Sequence, residues 1–179
     1  LTFQADLGSM LDKTRRLEKL TPVIAGMIGL NEEETAVSNR AASLCKADLA
    51  TEMVVEMTSL QGVMGGHYAK RSGESDEVAA AIAEQYHAVS KTRPGLALAL
   101  ADRLDSLAGL FAAGLAPKGS NDPFALRRAA IHIIENLVAN QLPFDLRSGV
   151  AAAAALQPLP CDEGVQAQVL AFVNGRLDG

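Results

Sequence analysis

Apolar positions recur along the chain at helical spacing rather than in alternation, and this period predicts helices almost throughout. The first predicted helix covers about residues 5–28, with Leu11, Leu17, Leu20, Ile24 and Met27 on one face, Pro22 kinking or splitting it and Gly29 closing it. Asn31 reads as an N-cap, because its side chain can accept from free backbone amides and Glu34 stands three residues on. The helix it opens is predicted to carry Leu44, Ala47, Ala50 and Val54 as its core stripe. A glycine-rich connector follows over 59–75, with Val63, Met64, Tyr68 and Ala69 as a short turn pinned to the core. Asp76 is predicted to cap a helix bearing Val78, Ile82 and Tyr86, and a longer helix spans 96–115 with Leu100, Leu104, Leu107 and Phe111 on one face. In "NDPFALRRAA", Asp122 reads as N-cap and Pro123 as the first residue of a helix reaching about Asn140. The alanine run 151–155 and a segment from about Asp162 give the last two helices.

Composition sharpens this into an all-α expectation. Aromatic residues are only 4% of the chain, and no strand-like run of Val, Ile, Thr and Tyr appears. With 179 residues and 49% hydrophobic content the chain can bury one substantial core, predicted over 1–145, with 146–179 as a helical extension beginning the next region of a longer protein. Charged residues interrupt every long apolar window, so no membrane span is predicted, and the start lacks a signal peptide. Cys45 and Cys161 suit a reduced cytoplasmic setting better than a disulfide framework. A net charge of −5 argues against indiscriminate nucleic-acid binding and confines any such contact to a local patch.

Two carboxylates sit inside apolar stretches: Asp48 in "SLCKADLATEM" and Asp102 in "ALADRLDSL". Together with Asp12 in "MLDKTRRL", they resemble the order of ligands in the HD superfamily of metal-dependent phosphohydrolases, and the implied fold is an HD-like helical bundle. Where that pattern has His before Asp, this chain has Ala47, which offers no lone pair; Asp12 stands roughly in the place of the first His. His67, His87 and His132 have no His partner one helical turn away. The centre therefore reads as degenerate, with no metal expected, and Asp48 and Asp102 as paired or solvated side chains. An active phosphohydrolase using Asp12, Asp48 and Asp102 is the competing reading, and a purely structural spacer a third.

A phosphate contact is predicted at "KGSNDPFALRRAA", where a helix start offers unpaired amides, Lys118 precedes it and Arg127 and Arg128 lie in it. Alternatively, Arg127 or Arg128 pairs with Asp102 or Asp105 and locks two helices together. Lys70 and Arg71 are further cationic candidates, as are Lys91 and Arg93 in "SKTRPG". Met53, Met57, Met64 and Tyr68 read as core filling and Cys45 as an inert buried thiol.

The order "LGSMLDKTRRL", "RAASLCKADLATEMVVEM", "LQGVMGGHYA", "LADRLDSLAGLF" and "DPFALRRAA" resembles the beta subunit of bacterial glycyl-tRNA synthetase over nearly the whole chain. Gly66 departs from the basic or bulky residue common at its place. The resemblance implies a holoenzyme that joins glycine to its tRNA with ATP and Mg²⁺ bound by a separate alpha subunit, and a fragment that holds neither cofactor. It also implies tRNA(Gly) and the alpha subunit as partners, a cytoplasmic location, and a role for this fragment in holding the acceptor arm.

Overall fold

The computed structural model describes residues 2–45, 74–84, 87 and 89–176. Among these, a short hairpin pairs β1 (Thr2–Gln4) antiparallel with β2 (Gly8–Ser9), Thr2 opposite Ser9 and Gln4 opposite Gly8. Helices α1 (Met10–Met27), α2 (Glu32–Leu44), α3 (Asp76–Glu84), α4 (Arg93–Ala112), α5 (Leu126–Ala139), α6 (Leu146–Ala155) and α7 (Glu163–Asn174) follow. The architecture is an all-α bundle.

Helix α4 is its axis. All but one of the residues from Gly95 to Phe111 are buried, and α1, α2, α3, α5, α6 and α7 all pack against it. Apolar residues on every side hold this helix in the interior, where its charged residues Asp102, Arg103 and Asp105 are buried with them. Leu98, Leu100, Leu104, Leu107 and Leu110 meet Leu17, Leu20 and Ile24 of α1, Ile82 of α3 and Leu126 and Ile133 of α5 in one buried cluster. Val150 and Ala153 of α6 and Val169 and Val173 of α7 join the same cluster, and Phe172 meets Phe111 edge to face at 5.2 Å.

The caps explain most boundaries. Ser9 accepts from Asp12 N while the Asp12 carboxylate receives Ser9 N, a capping box that starts α1 five residues later than the periodicity predicts. Leu11 lies six positions before Leu17, which is not a helical repeat, and it emerges 59% exposed instead of facing the core. Pro22 does not split α1. It removes one donor, and the carbonyl left without a partner belongs to exposed Glu18, where water can reach it. Gly29, at φ +77°, ends α1 in a Schellman motif, with Leu30 N donating to Ala25 O at 3.0 Å and Gly29 N to Gly26 O at 3.2 Å.

Asn31 and Glu34 form the expected capping box of α2; the stripe predicted beyond it at Ala47, Ala50 and Val54 lies outside the described residues. Ser75, not Asp76, caps α3, its hydroxyl accepting from Val78 N. Thr92 caps α4 from within the predicted basic link, with Pro94 in the first turn. Helix α5 begins at Leu126, three residues beyond Pro123, after Ala125 in a left-handed conformation (φ 54°). Asp145 and Asp162 cap α6 and α7.

Candidate functional site

Helix periodicity places Lys13 and Arg16 on the buried side of α1, and Asp102 and Asp105 at the same spacing on α4. The two pairs close on each other. Lys13 Nζ lies 2.7 Å from Asp105 Oδ2 and 3.2 Å from Asp102 Oδ1, and also donates to Ser106 Oγ at 3.0 Å. Arg16 Nε donates to Asp105 Oδ1 at 2.8 Å, and its Nη1 donates to Leu7 O at 3.1 Å. Gln157, between α6 and α7, adds a 2.9 Å donation to Asp105 Oδ1. Burial alone would push the Asp105 carboxyl up, yet Lys13 and Arg16 together hold it below its ordinary 3.8, so it is an anion in the core.

The described positions of the predicted metal pattern have other partners. Asp12 is a capping residue whose carboxyl is held below its ordinary value by hydrogen bonds from Ser9. Asp102 Oδ1 faces the ammonium of Lys13 at 3.2 Å. Ala47 and Asp48, like Lys70 and Arg71, lie outside the described residues. Among the described residues no three His, Cys, Asp or Glu side chains gather in a way that could hold a metal ion.

The predicted anion site at the start of α5 is built differently from expectation. The Asp122 carboxylate itself accepts from Leu126 N at 2.8 Å and Arg127 N at 3.0 Å, from outside the helix. The amides proposed for a phosphate are therefore taken by the chain's own anion. Arg127 curls back to Gly119 O at 2.5 Å. Lys118 and Arg128 are exposed, and among the described residues neither has a carboxylate partner, because Asp102 and Asp105 are claimed by α1. Lys118, Asn121 and Pro123 border a shallow groove of about 210 Å³ with Gly114, Leu115 and Ala116. Arg93 is not available as a loose cation: it donates to Glu34 Oε2 and Gly29 O.

Sequence reasoning passed over Lys13, Arg16 and Gln157. The signal was present as two basic and two acidic residues at matched spacing within apolar stretches, since charges placed in a core must pair. Arg103 and His132 were likewise not connected; nothing in the spacing of residues 29 apart on two helices announces a contact.

The fold and this geometry define a helical bundle braced by a buried ion cluster, with Lys118 outward in the loop before α5 and Arg128 outward on α5. The family model described as glycyl-tRNA synthetase beta subunit matches residues 1–179, and the chain belongs to that family. Its relatives include glycine-tRNA ligase beta subunits of Chromohalobacter salexigens (46% identical over 183 residues, 98% of this chain), Shewanella amazonensis (44%, 98%) and Haemophilus influenzae strain PittEE (46%, 97%). The chain spans 26% of the length of each of these relatives.

Proposed function

We propose that this region serves a glycine-tRNA ligase as an HD-like helical domain that makes no bonds in the reaction but holds the acceptor arm of tRNA(Gly). In this reading the alpha subunit binds glycine, ATP and Mg²⁺ and performs the ligation in the cytoplasm, and the beta chain brings the RNA to it. Membership of the family supports the setting. The observation that carries the assignment of a surface is that Lys118 and Arg128 remain outward, without carboxylate partners among the described residues, on a chain of net charge −5. Cations kept free of carboxylates on an otherwise acidic protein suit a polyanion, and A-form RNA presents chiefly phosphate and 2′-OH. Lys118, Arg127 and Arg128 form the described part of the surface, with Lys70 and Arg71 assigned to it from sequence. No catalytic metal is part of the proposal, since Ala47 has no donor atom, Asp12 caps a helix and Asp102 faces Lys13.

Charge reversal of Arg127 and Arg128 in the assembled enzyme tests the reading. Affinity for tRNA(Gly) should fall, with the slope of log affinity against log salt reduced by about one for each phosphate left without its cation. Unchanged affinity and slope would overturn it.

A further inference from the structure

On α5, Arg128 and His132 stand four residues, one helical turn, apart and so share a face. Arg103 reaches this side from α4. Its guanidinium, almost fully buried, donates to the carbonyls of Ala99 at 3.2 Å and His87 at 2.9 Å, and Nη2 lies 3.0 Å from His132 Nδ1. A guanidinium carries donors only and stays protonated, so Nδ1 accepts and the proton of the neutral ring sits on Nε2. Burial, followed by the charge of Arg103, holds the His132 pKa below its ordinary 6.5. The backbone is fixed as well. Asn136 donates to His132 O at 2.9 Å and accepts from Ser90 N at 2.8 Å, while Glu84 accepts from Lys91 N and Thr92 N, so the segment beside the ring is clamped to α3 and α5.

The outcome is an Nε2–H aimed by its neighbours, without a partner among the described residues, on a half-buried ring next to an exposed guanidinium. We propose that His132 and Arg128 form one phosphodiester-contact site, in which Arg128 supplies charge, His132 Nε2 supplies a pre-aimed neutral donor, and Arg103 is the positioning residue behind them. The site rests on the reading of this surface as RNA-contacting and moves its centre from the start of α5, which Asp122 occupies, to the flank of that helix. Glu135, the one carboxylate among the described residues that acts on the ring, leaves the balance positive against Arg103 and Arg128.

Isosteric replacement tests this in the assembled enzyme. Asn at 132 keeps an acceptor where Nδ1 stood but withdraws the outer donor, whereas Gln places an amide near the position of Nε2. Binding of tRNA(Gly) is measured for R128Q, H132N and H132Q across a KCl series, with thermal unfolding of each variant. R128Q should weaken binding and lower the salt slope by about one. H132N should weaken binding by about tenfold, that of one hydrogen bond to a charged group, with the slope unchanged because a neutral donor releases no counterion. H132Q should retain most of the affinity. Wild-type affinity in H132N, or equal losses in H132N and H132Q, would sink the proposal while a reduced slope in R128Q leaves the wider reading standing. If R128Q also binds as wild type, the RNA reading itself fails.

Discussion

Asp105 has no exposed surface and is gripped by an ammonium, a guanidinium and an amide. Desolvating the four charges of Lys13, Arg16, Asp102 and Asp105 is costly, and the mutual attraction roughly offsets it, so the cluster is better understood as fixing which face of α1 meets α4 than as a large net source of stability. Removing one partner is different, because the remaining charges stay buried and unmatched. Asp105→Ala should therefore destabilise the fold by about 3–5 kcal/mol in denaturant unfolding, far more than substitution of an exposed carboxylate. A loss below about 1 kcal/mol would mean that water enters the cluster and relieves it.

At the scale of elements, the turns around α6 show how closely backbone and side chains are matched. A Cβ added at Gly149 would lie 2.9 Å from Cε1 and Cζ of Phe144 and 3.3 Å from Leu104 Cδ1. Alanine at 149 gains about 1 kcal/mol of helix propensity but overpacks against the Phe144 ring, at about 1–3 kcal/mol. The clash should win, and Gly149→Ala should lower the melting temperature; a rise would show that Phe144 can swing clear. The cap at Asp145 was not foreseen and α6 was read from its alanine run, while α7 was placed from about Asp162; α2 was legible because Asn31 accepts from an amide three residues on, a purely local device. The start of α5 was not. Its cap acts across a turn from Asp122 while Ala125 takes a left-handed conformation, which a residue-by-residue template does not anticipate.

At the scale of the whole molecule, buried Asp105 and half-buried His132 both contribute to the response to pH. Asp105 has its folded pKa below the ordinary 3.8, so its contribution is fully present above that value and is lost as pH falls through the folded pKa. His132 is also depressed, from 6.5, so the unfolded chain takes up its proton first on acidification. Stability should thus begin to fall just below pH 6.5, well before carboxylate protonation, and stop falling for this reason once pH is under the folded value. H132Q should flatten the decline between pH 6.5 and that point while leaving the steeper acid transition intact, as followed by thermal melts over a pH series. An identical profile in the variant would remove His132 as the cause.

Periodicity alone determined that this chain is helical and where most helices run, because those properties reside in residues three or four apart. The family, too, was readable from "LCKADLATEMV" and "KGSNDPFALRRAA". Tertiary structure alone decided which charges are consumed internally: Lys13 and Arg16 take Asp102 and Asp105, about 90 positions away, and so leave Arg128 outward. Pairing across such distances depends on how helices dock, and only the packed core brings those side chains within hydrogen-bond reach.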